Sequence, residues 1–214
     1  GNCMETFTKE QVVRTVAVMC DIIIENEVPF CELDSVAGDG DFGMSLAKGF
    51  KVVKAEWANH SQEDIGAFLK DCGMIITEHC GGASGPIWGS AFRAMGRYAQ
   101  GKETLTLAET GEMVQAAIDA VQKRGGAKLG DKTLLDALIP AVESIKASGA
   151  AGESFAVALP KSAAAAVAGG ESTKLIAATK GRASYVGDRS ISFPDAGATA
   201  IGIIFTRLLG GVAP

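Results

Sequence analysis

Apolar residues recur at spacings of three and four along most of the chain, which is the pattern of helices that bury one face. The first such segment is predicted to run from residue 8 to residue 27. Thr8 and Gln11 have the spacing of a capping box at its start, and Pro29 is expected to end it. The predicted inward face consists of Val12, Val13, Val16, Met19, Cys20, Ile23 and Ile24. The chain therefore opens with an amphipathic helix.

Seven further helices are predicted from the same periodicity and from their boundary residues. Ser61 is expected to cap the third helix, with Asp64 three residues later. Pro160 and a Gly-Gly pair interrupt an alanine-rich segment, so residues 153–179 form either one long bent helix or two short ones. The other predicted spans are about 42–59, 61–79, from the turn at 80–85 to about 100, 105–123, from about 131 past Pro140, and 195–209.

These spans predict an all-α protein, an eight-helix antiparallel up-and-down bundle, because helices joined by short loops usually pack in opposite directions. Proline is scarce, with six residues, and long stretches lack the alternation that is typical of strands. No internal repeat and no low-complexity linker divides the chain. A single domain over residues 1–214 is therefore predicted.

Composition excludes several classes of protein. The net charge of −5 provides no basic field for nucleic acid, and no apolar run approaches the roughly 20 residues that span a membrane. The five cysteines form no Cys-x-x-Cys pair and are odd in number, so reduced and mostly buried thiols are expected. No charged-then-apolar signal segment opens the chain. A cytoplasmic protein that contacts neither nucleic acid nor membrane is therefore predicted.

One stretch, residues 34–50, concentrates the candidate chemistry. Asp34, Asp39 and Asp41 are separated by glycines, which let a backbone bend sharply and approach a ligand closely. Three carboxylates on a short loop offer hard oxygen ligands that suit Mg²⁺ or Ca²⁺. The loop leads into a predicted helix, whose N-terminal N–H groups and dipole favour a phosphate. A metal bound together with a phosphate is the first hypothesis.

An ordinary turn and an EF-hand loop are two other interpretations of this stretch. Asp-Gly-Asp is common in turns, and Asp41 could simply cap the following helix, so an ordinary turn stays open as an alternative. An EF-hand begins in a similar way but requires glycine at its sixth position and glutamate at its twelfth. Counted from Asp39, those positions hold Met44 and Phe50, which excludes the EF-hand.

Glycine-rich loops that open predicted helices recur at 38–43, 81–85, 125–131 and 195–197. An even number of helices separates consecutive loops, so an up-and-down bundle places all four at the same end. Such an end suits a nucleotide, with carboxylates for metals, glycine turns for close approach and apolar side chains for a base. Arg182 or Arg189 is expected to meet phosphate. His60 and His79 fall outside these loops, and His60 is expected to be a polar surface residue.

The ordered motifs resemble the nucleotide-binding L subunits of bacterial dihydroxyacetone kinases and the C-terminal domains of single-chain ATP-dependent kinases. The motifs that carry the resemblance are LDSVAGDGDFGMSLAKGF, GGASGPIWGSAF, GDKTLLDAL-P and GRASYVGDRS-x-x-x-PDAGA, within residues 33–200. Each motif alone is weak, but four in this order are highly specific. The resemblance implies an eight-helix antiparallel barrel that binds ADP or ATP at one end through two Mg²⁺. Pro160 departs from the family pattern, because the resemblance implies a continuous helix at this position.

The resemblance also implies roles for particular residues. Asp34, Asp39 and Asp41 would be the metal ligands. The residues that would contact the nucleotide are Phe42, Gly43, Met44, Ser45, Ala83, Ser84, Gly125, Leu134, Arg182, Asp195, Ala196 and Gly197. The first four of these would meet the phosphates, whereas Gly125 and Leu134 would border the adenine.

The implied function is that of a Mg²⁺-dependent phosphotransferase subunit that presents the terminal phosphate of a bound nucleotide to dihydroxyacetone. In the family, a histidine of a separate K subunit holds this substrate covalently, and that partner would cover the nucleotide end. In one version a phosphohistidine M subunit recharges bound ADP, and in the other ATP exchanges. The sequence leaves open another small ketose such as a tetrulose, a non-catalytic Mg-nucleotide sensor that binds a regulator, a metal-binding helical domain without nucleotide, and a homodimer.

Overall fold

Helices make up almost all of the regular structure. The computed structural model describes residues 5–36, 38–177, 191 and 193–210. Its α-helices are α1 (Lys9–Glu25), α2 (Glu27–Asp34), α3 (Phe42–Ala55), α4 (Ile65–His79), α5 (Ser84–Tyr98), α6 (Leu107–Gly125), α7 (Leu135–Ala150), α8 (Phe155–Ser172) and α9 (Ala196–Leu209). The other elements are two 3₁₀ turns, Trp57–Asn59 and Thr173–Leu175, and two short antiparallel strands, β1 (Phe7–Thr8) and β2 (Thr104–Leu105). The all-α prediction is confirmed, with nine α-helices in these residues where eight were predicted.

The first predicted helix is confirmed as α1, and a second helix, α2, follows it where a loop was predicted. The capping box at its start is confirmed, because the Gln11 N–H donates to Thr8 Oγ1 at 3.2 Å and the Thr8 N–H donates to Gln11 Oε1 at 2.8 Å. The chain then breaks at Asn26, and α2 begins at the next residue. Pro29 lies in the first turn of α2, where its missing N–H removes no helical hydrogen bond. The prediction that Pro29 ends the helix and leads into a loop was therefore wrong.

Other helix boundaries also differ from the prediction. The cap of α4 is Asp64, whose Oδ1 accepts the Ala67 N–H at 2.8 Å, and not Ser61. The helix predicted from about Asp131 begins only at Leu135, because the preceding residues form a turn. The alanine-rich segment is a single helix that contains Pro160, which decides between the two alternatives.

Consecutive helices pack against one another along the chain. From α3 to α9 each helix contacts the next, and α9 also contacts α1, which in turn packs on α3. The order of neighbours therefore returns to its starting point. Large apolar side chains fill the space between the helices, including Phe30, Phe50 and Phe68, each fully buried. Phe50 makes edge-to-face contacts with Trp88 and Phe92, which ties α3 to α5.

The starts of four helices are held together at one end, called here the capped end. The strands β1 and β2 pair Phe7 with Leu105, just before α1 and α6. The Ile65 N–H at the start of α4 donates to the Lys102 carbonyl at 2.9 Å, and the Phe155 N–H at the start of α8 donates to Glu5 Oε1 at 2.7 Å. The starts of α1, α4, α6 and α8 thus lie close together.

Cysteines and one histidine belong to the interior. The four cysteines in the described residues are free thiols, and Cys20, Cys72 and Cys80 are buried. Burial raises the pKa of Cys20 to about 12 and that of Cys80 to about 11. His60 is buried with its Nε2 2.8 Å from the Val53 carbonyl oxygen, so its expected surface position was wrong. Within the described residues, no helix has the length and apolar character required to cross a membrane.

Candidate functional site

A cleft of about 530 Å³ opens where the starts of α3, α5, α7 and α9 meet. This end is called here the cleft end. All four glycine-rich loops contribute to the cleft, as their predicted position at one end requires. The residues that line it are Asp34, Asp41, Phe42, Ser45, Gly81, Gly82, Ala83, Ser84, Pro86, Ile87, Trp88, Val121, Arg124, Gly125, Ala127, Lys132, Thr133, Leu134, Asp195, Ala196 and Gly197.

Asp34 and Asp41 bring two carboxylates to the cleft. Asp34 is the last residue of α2, and its Oδ2 accepts the Gly40 N–H at 3.1 Å. A Cβ at Gly38 would overlap with the Asp34 carboxylate, so only glycine fits there without displacing that group. Gly40 has a φ of +76°, which glycine adopts without strain. Asp39 belongs to the same loop but is not among the residues that line the cleft.

The carboxylates fit a metal that also takes ligands from phosphate. Within the described residues, no three acidic, histidine or cysteine side chains are grouped closely enough to hold a metal by themselves. Mg²⁺ is commonly held by one or two carboxylates together with substrate phosphates and water. Asp34 and Asp41 on one cleft match that donor set. An all-protein cage for Ca²⁺, with six to eight oxygen ligands, does not match it.

The first turn of α3 contributes two of its four predicted residues to the cleft. Phe42 and Ser45 line it, whereas Gly43 and Met44 do not. Gly43 packs against the Glu27 carbonyl of α2, where a Cβ would overlap. The Met44 side chain is exposed, and its N–H lies 3.3 Å from Cys31 Sγ. Gly43 therefore allows α3 to pack closely against α2. The sequence pattern alone does not distinguish a glycine needed for packing from one that contacts a ligand.

The second loop is fixed to α3 by main-chain contacts. The Gly81 N–H donates to the Ser45 carbonyl at 3.0 Å, and the Cys80 thiol donates to the Leu46 carbonyl at 3.3 Å. Gly82 follows with a φ of +52°, and α5 then begins beside the cleft with Ser84. These bonds place the first turns of α3 and α5 side by side on one wall.

Apolar side chains, called here the apolar wall, also line the cleft. Ile87 and Trp88 lie one turn after Ser84 on α5, and Val121 lies one turn before Gly125 on α6. None of these three residues was predicted, although helical spacing from the predicted ones would have found them. With Leu134 they form the kind of surface that accepts a flat apolar ring.

Asp195 is the most perturbed carboxyl group of the cleft. It caps α9 by accepting the Ala198 N–H at 2.9 Å on Oδ2. Burial raises the pKa of Asp195 to about 6; the Ala198 N–H and the Lys132 charge oppose this shift, while the charges of Asp136 and Asp34 add to it. Burial in turn lowers the pKa of Lys132, and the charge of Asp195 opposes that shift. The cleft thus concentrates negative charge around one buried lysine.

Two cations that line the cleft, Arg124 and Lys132, were not predicted as site residues. The available signals were a basic residue next to Gly125 and a lysine inside the GDKT motif. The predicted cations Arg182 and Arg189 lie outside the described residues. Of the other predicted site residues, those that line the cleft are Asp34, Asp41, Phe42, Ser45, Ala83, Ser84, Gly125, Leu134, Asp195, Ala196 and Gly197, and those that do not are Asp39, Gly43 and Met44.

The all-α fold, with acidic and glycine-rich loops at one end, is similar to that of a known domain class. A model of the DAK2 domain family matches residues 36–210, and the chain therefore belongs to this family. The chain is 36% identical over 196 residues to the PEP-dependent dihydroxyacetone kinase, ADP-binding subunit DhaL, of Escherichia coli. That match covers 92% of this chain and 93% of the relative. The resemblance predicted from the four motifs is confirmed, and the chain falls among subunits of phosphotransferases.

Longer kinases contain a similar region. The D-erythrulose kinase of Mycolicibacterium smegmatis is 32% identical over 90% of this chain, which spans 33% of that protein. A solved structure of the C. freundii dihydroxyacetone kinase in complex with AMP-PNP and Mg²⁺ superposes with a TM-score of 0.74 at 24% identity. The match covers 97% of this chain, and this chain spans about a third of that kinase, 35% of its length. The structural likeness supports the fold.

Proposed function

We propose that this chain is the nucleotide-binding subunit of a dihydroxyacetone kinase, and that it acts as one domain over its whole length. It presents the terminal phosphate of a Mg-bound adenine nucleotide to dihydroxyacetone held on a partner K subunit. The observation that carries the proposal is the cleft itself. Four loops that are distant in sequence bring carboxylates, helix starts and an apolar wall to a single cavity. The ADP-binding name of the E. coli relative supports this assignment.

The metal ligands proposed here are Asp34 and Asp41, with Asp39 supplied by the same loop. Three carboxylates and a diphosphate carry about six negative charges, of which two Mg²⁺ ions offset four. Bound Mg²⁺ supplies charge neutralisation at the phosphates. This chain's residues hold the ions in place, and the carboxylates need no proton transfer to do so.

The nucleotide is proposed to lie across the cleft. Its phosphates face the first turns of α3 and α5, where Ser45 and Ser84 line the cavity and main-chain N–H groups favour anions. Its base lies on the apolar wall near Trp88 and Leu134. Arg182, Ala196 and Gly197 complete the site in this proposal. Phosphoryl transfer needs mainly such positioning and neutralisation.

A partner must supply the acceptor. The proposed K subunit covers the cleft end, and a phosphohistidine M subunit recharges ADP if the nucleotide stays bound. The E. coli relative is named as PEP-dependent, which favours this recharging version over free ATP exchange. The proposal also implies a cytoplasmic protein, since phosphoenolpyruvate-linked transfer and reduced thiols both belong to that compartment.

Mass spectrometry of the nucleotide released by denaturing freshly purified protein, with Mg²⁺ kept throughout, tests the retained-ADP version. About one ADP per chain supports it. A protein that arrives empty but binds Mg-ATP supports the exchanging version. A protein that binds neither nucleotide with Mg²⁺ contradicts the proposed function.

A second candidate is a kinase subunit for another small ketose. The observation that favours it is the similarity to a D-erythrulose kinase, at 32% identity. Phosphorylation assays with the cognate K subunit and a panel of ketoses separate the two candidates. Faster turnover of a tetrulose than of dihydroxyacetone would favour the second, and transfer to no ketose would favour a nucleotide sensor.

A further inference from the structure

Lys132 stands out because of its backbone and its burial. Its φ is +62°, and it is the one non-glycine residue with positive φ in the described part of the chain. The residue is only 3% exposed although it carries a charge. A side chain with Cβ rarely adopts this conformation, and it persists only where the surroundings enforce it.

The turn around Lys132 is enforced by one buried carboxylate. Asp136 Oδ1 accepts the Gly130 N–H at 2.7 Å, and Asp136 Oδ2 accepts the Thr133 N–H at 2.9 Å. Asp136 is itself buried in the first turn of α7. The main chain of Asp136 packs directly on α8, where a Cβ at Gly169 would overlap with its carbonyl. The turn is therefore clamped from both sides, and its conformation does not depend on a ligand.

The enforced turn aims the ammonium group of Lys132 at two carbonyls that are far apart in sequence. Lys132 Nζ donates to the Ile176 carbonyl at 2.9 Å and to the Phe193 carbonyl at 2.6 Å. One nitrogen thus joins the chain that leaves α8 to the chain that approaches α9. The segment between these two positions carries Arg182 and Arg189 in the sequence.

A second hydrogen bond joins the chain after α8 to the chain before α9; these two stretches, residues 173–177 and 193–197, are called here the flanks. The Asp195 N–H donates to Thr173 Oγ1 at 2.8 Å, and the Thr173 hydroxyl donates to the Gly170 carbonyl. Thr173 is fully buried at the end of α8. Asp195, which lines the cleft, is therefore held by the Thr173 hydroxyl and interacts with the charge of Lys132. The position of Asp195 depends on both flanks.

We propose that Lys132 is a positioning residue. Its ammonium group binds the main-chain carbonyls of Ile176 and Phe193 and so fixes Asp195 beside the cleft. The inference rests on the proposed function to the extent that the cleft holds a nucleotide. Lys132 acts here through the chain that it holds and not as a ligand of the phosphate.

Two substitutions separate the ammonium group from the backbone strain. Lys132→Met keeps the length of the side chain but removes the charge and the donors. Lys132→Gly removes the same groups and also relieves the positive φ. Lys128→Met is the matched control, because Lys128 lies in the same loop with a side chain that is 78% exposed and a long 3.9 Å ion pair to Asp131.

Hydrogen exchange of the nucleotide-free proteins is the first measurement. Amides at 173–177, 193 and 195–197 should exchange about ten to a hundred times faster in both Lys132 variants, while the rest of the bundle exchanges as in the parent protein. Lys128→Met should match the parent throughout. Unchanged flank exchange in both variants contradicts the proposal. Faster exchange across the whole bundle, or failure of both variants to fold, also contradicts it, because Lys132 would then serve general stability.

The release rate of Mg-ADP is the second measurement. Both Lys132 variants should release Mg-ADP about tenfold faster or more than Lys128→Met. Faster release with unchanged flank exchange would make Lys132 a direct phosphate ligand and overturn the positioning role. A parent protein that binds no nucleotide would overturn the proposed function. The exchange experiment would still decide whether Lys132 holds the chain at Ile176 and Phe193.

Discussion

The two ends of the bundle begin their helices in different ways. At the capped end, α1, α4, α6 and α8 each start with a side chain that accepts a main-chain N–H of the first turn. The capping residues are Thr8, Asp64, Thr106 and Ser154. At the cleft end, the N-cap residues of α3, α5 and α7 make no side-chain capping bond, although the Met44 N–H donates to Cys31 Sγ and the Leu135 N–H donates to Thr133 Oγ1. The helix starts whose N-cap residues make no capping bond are therefore those that line the cleft.

This contrast separates stability from binding. A helix start leaves main-chain N–H groups that the helix itself cannot satisfy, and a side-chain cap stabilises it. A start without such a cap is suited to an external anion. The fourth helix at the cleft end, α9, has a cap, but that cap is Asp195, a half-buried carboxyl group whose pKa is raised to about 6. Its environment resembles that of a binding site more than that of an ordinary cap.

The largest expected effect comes from the carboxylates of the cleft end. Asp34→Asn and Asp41→Asn should each weaken Mg-ADP binding by about a hundredfold or more. Replacing a residue that only hydrogen-bonds to a metal ligand already lowers metal affinity about ten- to a hundredfold. Calorimetric titration measures this, and circular dichroism should show unchanged helix content. Asp21→Asn, which changes an exposed ion pair with Lys54, is the control. Full Mg-ADP affinity in both cleft variants would remove these residues from the metal site.

A smaller effect is expected at Gly38. The added methyl group of Gly38→Ala would displace the Asp34 carboxylate, so Mg-ADP affinity should fall about tenfold. Gly149→Ala, whose Cβ would make only ordinary contacts at 3.9 Å, should bind as the parent does. Equal affinity in both variants would show that the position of the Asp34 carboxylate does not matter for binding.

The capped end should respond in stability alone. Thr106→Ala removes a capping box with Glu109 and should lower the free energy of unfolding by about 1 to 2 kcal/mol. The melting temperature should fall by about 2 to 8 °C. Mg-ADP affinity should stay unchanged, because the cap lies at the other end of the bundle. A tenfold loss of affinity would break the separation between the two ends.

Asp195 gives the cleft end a pH signature in the nucleotide-free protein. The folded pKa of about 6 lies above the ordinary value of 3.8, so the folded state binds more protons between these values and its stability falls as pH rises. Relative to Asp195→Asn, the parent should lose about 1 kcal/mol of unfolding free energy between pH 5 and pH 7. Urea unfolding at both pH values measures this. A parent that gains stability relative to the variant over this range would reverse the assigned shift.

Local sequence signals predicted the helices and much of the cleft. The capping box at Thr8 depends on residues three positions apart, so the sequence contains the whole interaction. The short helix α2 differs from the prediction, because a proline can either end a helix or occupy its first turn, as Pro29 does here. The extra helix α2 precedes all four glycine-rich loops, so the number of helices between those loops is unchanged. The prediction that the loops lie at one end was therefore not affected.

Non-local contacts explain what the sequence did not reveal. Gly43 was assigned to phosphate, but its partner is the Glu27 carbonyl on another helix. The Lys132 turn depends on Asp136, and the lysine reaches Ile176 and Phe193 only after α7, α8 and α9 have packed. No spacing rule encodes such distances. Glycine and lysine in a motif therefore indicate a site without telling which of them faces the ligand.

Titration of the parent protein with ADP, with and without Mg²⁺, tests the central claim most directly. The account predicts one ADP per chain in the presence of Mg²⁺, much weaker binding after Mg²⁺ is removed, and the same weakness in Asp41→Asn with Mg²⁺ present. Two results would contradict it. One is a parent protein that binds neither ADP nor ATP with Mg²⁺, and the other is tight ADP binding that neither Mg²⁺ removal nor Asp41→Asn changes.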